Sequence, residues 1–319
     1  MANAFSGKPR SSLPLFRHAG YSYSGPCAAW AYAALDLRGA TRVFVLGPSH
    51  TYYLRGCALS THAVYATPLG DLVVDREVMA ELRKTGRFKD IPRDADEDEH
   101  SLEMHLPYLY KRVQQTFADV TPDKYPTVVP ILIGDNDGPQ EKEFGAILAP
   151  YLRDPRNAFI VSSDFCHWGQ RFGYVAYLPE GKLEQKTNLQ RGGGGGSSSS
   201  SNSSRRGAGG SVAAPSNPPI HESIRILDKL AMDAIESGSH DAFVGNLEHT
   251  RNTVCGRHPI GVAMAALEVL GKESKEAESG GAGNDEEKRR FKFVQYQRSS
   301  LVHDVSDSSV SYASAYALV

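Results

Sequence analysis

Several side chains in this sequence combine metal-ligand or acid–base chemistry with positions at the ends of apolar runs. Ala158 to Val161 is an unbroken apolar stretch, and Asp164, Cys166 and His167 follow it within a few residues. The β-branched stretch Thr41-Arg-Val-Phe-Val-Leu-Gly47 stops at Gly47-Pro-Ser-His50. His18 opens the small-residue segment His18-Ala-Gly-Tyr-Ser-Tyr-Ser-Gly25, and Cys255 opens Cys255-Gly-Arg-His-Pro-Ile-Gly261. Neutral imidazole, carboxylate and thiolate are ligands for iron, copper or zinc, and a mixed set leaves positions open for water or dioxygen. Taken singly, each of these residues reads as readily as a buried, hydrogen-bonded group, and a lone cysteine more often packs than reacts. Repetition favours the chemical reading, because in open α/β sheets ligands bind at the carboxyl ends of the strands. No two of these residues form a tight local motif such as HExxH. For Cys255, the helix that follows and Arg257 are expected to favour thiolate over thiol.

The elements that must position these groups can be outlined. Leu13 to Phe16 is a stub of strand, Pro26 suits a first helical position, and Cys27 to Leu37 has helical composition. Cys57 to Tyr65 alternates weakly, as an edge strand would, and Thr67 to Leu72 reads as a loop. Asp75 to Thr85 is a helix, and the acidic run Asp94 to Glu99 reads as a solvated loop. It leads into His100-Ser-Leu-Glu-Met-His-Leu-Pro107, where His100 and Glu103 share a helical face. Thr127 to Ile133 and Asn157 onward are strands flanking a helix over Glu141 to Arg153. Alternating strands and helices between residues 41 and 170 predict an α/β domain. Further helices are expected over Ile220–Ser237, Asp241–His249 and from Cys255 to about Leu270, then strands over Arg289–Ser299 and Asp307–Val319. Residues 189–219 contain five glycines followed by five serines and read as a flexible insertion; residues 273–290 form a second polar loop.

Composition narrows the class. With 319 residues, 40% apolar and 23% charged, and a net charge of −2, the chain has no basic excess to suggest nucleic acid. It has no apolar run of membrane-spanning length. Four scattered cysteines without a CxxC pair suggest neither a disulfide scaffold nor a zinc knuckle, so a reduced, cytoplasmic protein is expected, with the nucleus as a second compartment.

Six ordered segments together resemble the Memo family, mediators of ErbB2-driven cell motility. They are the two around His18 and His50, Asp96 to Tyr108, Ser162 to Gly169, Cys255 to Gly261 and Asp307 to Ala313. The resemblance spans residues 18–319 apart from the two polar loops. It implies a single α/β domain with a mixed, largely parallel sheet covered by helices, similar to class III extradiol dioxygenases. It also implies iron or copper bound by His18, His50 and Cys255, with Asp164 and His167 beside them as catalytic groups along with Cys255. His100, Glu103, His105 and Arg257 would belong to the wider pocket. Family members carry a strand ahead of the His-Ala-Gly motif, and residues 1–17 are expected to hold only a truncated or irregular version of it. Two functions follow as expectations. One is a metal-dependent redox protein, handling iron, copper or reactive oxygen in motility and signalling. The other is a non-catalytic module that recognises a phosphotyrosine-bearing peptide or a signalling protein in a degenerate pocket.

Overall fold

The computed structural model describes residues 12–16, 18–189, 215–277 and 289–319. The chain begins with β1 (Ser12–Phe16), α1 (Tyr21–Ala34) and β2 (Arg42–Pro48). Short strands follow, β3 (Cys57–Leu59), β4 (Val64–Thr67) and β5 (Gly70–Val73), and then α2 (Arg76–Lys84) and β6 (Phe88–Asp90). Three helices come next, α3 (Arg93–Glu97), α4 (His100–Glu103) and α5 (Leu106–Thr116). The central run is β7 (Thr127–Ile133), α6 (Gly138–Arg153) and β8 (Asn157–Ser162). Beyond it lie the two-residue strands β9 (His167–Trp168), β10 (Ala176–Tyr177) and β11 (Thr187–Asn188). The chain closes with α7 (Ile220–Glu236), α8 (His240–Thr250), α9 (Arg257–Ala277), β12 (Lys292–Arg298) and β13 (Ser309–Leu318).

The main sheet has the order β12-β13-β1-β8-β2-β7-β3-β6, with β9 paired to β13. Strands β1, β8, β2 and β7 are mutually parallel, whereas β13 runs antiparallel to β1 and β3 antiparallel to β7. This is a mixed α/β sheet with a parallel centre, flanked by helices. All six residues of β8 are buried, as expected for a parallel strand covered on both faces. Phe44 and Phe159 stack across β2 and β8 with ring centroids 4.4 Å apart. Helix α6 crosses α9 at Gly145, where an added Cβ would lie 2.6 Å from the Ala265 Cβ, so only glycine permits that approach.

Several expectations change. The amino-terminal strand is five residues long, and β1 fills an inner position between β13 and β8, with Leu13 and Leu15 buried. Helix α1 starts at Tyr21, which places Pro26 inside it beyond the first turn, where its missing N–H leaves one helical hydrogen bond unmade. The Cys57–Tyr65 stretch divides: β3 lies inside the sheet, covered by β6, and Val64 begins a β4–β5 hairpin that uses the expected loop. Four of the six residues of the acidic run lie in α3, and Asp96 and Glu99 are buried. A carboxylate run is not automatically a solvated face, since Asp96 is paid in hydrogen bonds from the Ser60 and Tyr65 hydroxyls. Helix α9 continues to Ala277, into the segment expected to be loop. Of the insertion, residues 190–214 lie outside the described residues; Leu189 N–H donates to the Val175 carbonyl, and the Pro218 carbonyl accepts from the Tyr177 hydroxyl. Residues 278–288 of the second loop also lie outside them.

Candidate functional site

The parallel centre of the sheet accounts for the convergence. Because β1, β8 and β2 are adjacent and run the same way, the residues just after them reach one edge: His18 after β1, Asp164 after β8 and His50 after β2. Cys255 arrives from the other side, in the turn before α9. That turn lies directly on the end of β8: a Cβ on Gly256 would sit 2.3 Å from the Ser162 carbonyl oxygen. The Gly256 N–H donates to Ser163 Oγ at 3.0 Å, which pins the turn.

Ligand atoms of His18, His50 and Cys255 lie within 4.8 Å of one another, as do those of Asp164, His167 and Cys255. Cys255 Sγ is 3.2 Å from His18 Nε2 and accepts the Asp164 N–H at 3.2 Å. The other ring nitrogen of each histidine is engaged behind the site. His18 Nδ1 is 2.6 Å from Ser162 Oγ, His50 Nδ1 is 3.1 Å from Glu99 Oε1, and His167 Nδ1 lies between the Phe165 and Thr253 carbonyls at 3.0 and 3.1 Å. Such partners orient an imidazole and leave Nε2 to act as a ligand. The donor set therefore suits a transition-metal ion. His50, Glu99 and His100 form a third compact group, but Glu99 already accepts from His50 and Thr51 N–H, Ser101 N–H and His50 Nδ1, so it serves to hold His50 in place.

Electrostatics favour neutral imidazoles. Burial, followed by the neighbouring His50, His105, His100 and His167, holds His18 well below the usual histidine range. Burial and His50 lower His100 as well, and burial alone takes His105 down to about 3. Burial would raise Glu99, but hydrogen bonds from the His50 side chain and backbone and from Ser101 hold it at about 2. The expectation of a depressed Cys255 is not met. Desolvation of its sulfur, reinforced by the Asp164 carboxylate, pushes the thiol well above its ordinary value. Arg257 does not compensate, because its guanidinium turns to His258 Nε2 at 3.0 Å and to Asp135 at 3.9 Å.

The remaining predicted residues are distributed as follows. His100 stacks on His50, centroids 4.6 Å apart, at the edge of the cluster. His105 is buried one layer back, between Ser162 Oγ at 2.7 Å and the Tyr32 hydroxyl at 3.0 Å. Glu103 is exposed beside α1 and takes no part in the three groups. Cys166 turns away from the edge and packs with Trp168 and Leu227 in a second apolar cluster. Glu99 and Ser162 escaped sequence reasoning as functional residues. Glu99 gave one usable signal, a carboxylate immediately before a histidine at a helix start.

The profile described as "Memo-like protein" matches residues 7–316. The chain belongs to the Memo family. Protein MEMO1 of Xenopus laevis is 40% identical over all of this chain and 89% of its own length. Protein MEMO1 of Homo sapiens is 39% identical over 93% of this chain and 82% of its own. The memo-1 homolog of Caenorhabditis elegans is 37% identical over 95% and 71%. An uncharacterized protein of Escherichia coli K12, known from a crystal structure, is 13% identical with a TM-score of 0.46, over 97% of this chain and 100% of its own. As a Memo protein the chain has, among the described residues, no helix long and apolar enough to cross a membrane.

Proposed function

We propose that this Memo-family protein binds one iron or copper ion through His18, His50 and Cys255 and works as a redox or metal-handling protein. The observation that carries the reading is the compactness of the three donors, within 4.8 Å, together with hydrogen-bond partners behind both imidazoles. Two nitrogens and a sulfur suit ferrous iron or copper better than a hard cation. When bound, such an ion would supply one-electron and Lewis-acid chemistry. Asp164 and His167, with ligand atoms within 4.8 Å of the same sulfur, would orient a bound molecule or carry its proton. Since burial keeps the Cys255 thiol protonated, metal uptake is expected to release about one proton. The phosphopeptide-binding alternative has less behind it, because Arg257, its natural anion contact, is engaged by Asp135 and His258. Roles in motility and signalling, and a cytoplasmic location, belong to this proposal as what the family resemblance implies.

The test is metal analysis of protein purified without added metal, combined with electron paramagnetic resonance. Wild type should carry iron or copper near one equivalent, and His18→Ala and Cys255→Ser should each lose it while remaining folded. Full retention of the metal in both variants would overturn the assignment and favour the binding module.

A further inference from the structure

Ser162, the last residue of β8, makes three short contacts with a single hydroxyl proton. It donates that proton to the Ser101 carbonyl at 2.8 Å. Its contacts with His18 Nδ1 at 2.6 Å and His105 Nε2 at 2.7 Å must then be made by oxygen lone pairs, so each ring presents an N–H to it. A neutral imidazole carries only one N–H. His18 is accordingly protonated on Nδ1, leaving a bare Nε2 directed at Cys255 Sγ. His105 takes the opposite form, protonated on Nε2, and its bare Nδ1 accepts the Tyr32 hydroxyl proton at 3.0 Å. The Tyr32 hydroxyl is also within 3.2 Å of the His105 carbonyl, so its proton is shared between two acceptors on one residue. With Ser162 donating to Ser101, one proton on each ring satisfies the chain from His105 to His18, and only the Tyr32 proton is divided between two acceptors.

We infer that Ser162, backed by His105 and Tyr32, is a tautomer lock that keeps the His18 proton on Nδ1 and its Nε2 lone pair turned into the donor cluster. The physical need is plain. The two ring nitrogens of a histidine are distinct, and the form with the proton on Nε2 would put an N–H where a ligand lone pair is required. All three side chains of the lock are buried, so water is poorly placed to substitute for the serine oxygen. His105 supplies no ligand atom in this scheme. Its part is to consume the second lone pair of Ser162, so that the hydroxyl cannot rotate to offer its proton to His18.

The inference rests on the metal reading for its consequence, though not for its geometry, and the experiment separates the two. Long-range proton–nitrogen correlation spectra of ¹⁵N-histidine protein, free of metal, report each ring's tautomer directly. Wild type should show His18 protonated on Nδ1 and His105 on Nε2. Ser162→Ala should shift His18 toward the Nε2–H form, whereas Ser162→Thr, which keeps the hydroxyl, should restore the wild-type pattern. In cobalt(II) titrations followed by the thiolate charge-transfer band, affinity should fall roughly 10–100-fold in Ser162→Ala and recover in Ser162→Thr. His18 protonated on Nε2 in wild type overturns the lock whether or not Ser162→Ala folds. So does an unchanged His18 tautomer in that variant. Wild-type protein with the stated tautomers but no cobalt binding would uphold the lock and remove the metal reading.

Discussion

Replacing Glu99 by Gln is the most informative perturbation of the site outside the proposed ligands. The side chain is 1% exposed and accepts the N–H groups of His50, Thr51 and Ser101 as well as His50 Nδ1. Glutamine keeps the shape but loses the charge, and its amide NH₂ must face N–H donors. The drop of the Glu99 carboxyl from 4.5 to about 2 corresponds to roughly 3 kcal/mol in favour of the charged form. The partner ring of His50 is 28% exposed, so solvent screens part of this and leaves about 2 kcal/mol. With the strain of a misplaced amide, Glu99→Gln should cost about 2–3 kcal/mol and lower Tm by roughly 4–10 °C. The sign with pH follows from the depressed carboxyl: the stabilisation is complete above about pH 4.5 and is lost as pH falls toward 2. The variant should lack that component of acid sensitivity. Because His50 would lose its orienting partner, metal affinity should fall about 10–100-fold. Calorimetry and cobalt(II) titration measure both effects. A variant with Tm within about 1 °C of wild type and affinity within about twofold would refute the view that this carboxylate holds His50 in place.

Gly256→Ala would drive a methyl group into the backbone at the end of β8, so it should cost about 1–3 kcal/mol in urea unfolding and weaken metal binding by displacing Cys255; an unaffected variant would mean the turn is more pliable than its contacts indicate. His105, held near 3 by burial, is neutral in the fold and protonated in the unfolded chain below pH 6.5, so its contribution is complete above 6.5 and is lost as pH falls toward 3. Wild type should lose up to about 1.4 kcal/mol per pH unit through that window from this residue, and His105→Gln should show a shallower slope. Replacing residues 192–212 with a short linker, while keeping Leu189 and residues 215–219, should leave Tm and metal content unchanged, because a Gly/Ser tract offers little apolar surface to bury; a clear loss of either would show that the tract contacts the domain.

The sequence by itself determined the strands and pointed to the candidate donors. β-Branched and apolar runs mark Arg42–Pro48, Thr127–Ile133 and Asn157–Ser162 because a strand covered on both faces tolerates few polar side chains. The family motifs singled out His18, His50 and Cys255, and the strand ends suggested a common edge. Strand order was beyond its reach. Only the tertiary structure made β1, β8 and β2 adjacent and parallel, since pairing between distant segments is written in packing rather than in local pattern. Charge state followed the same division. A cysteine before a helix with an arginine nearby reads as a thiolate in sequence. In the fold, Arg257 points to Asp135 while Asp164 and desolvation act on the sulfur, so the thiol keeps its proton. Glu99 reads as one of a run of solvated acids until the fold surrounds it with four N–H groups, because the worth of a carboxylate depends on the donors that replace its water.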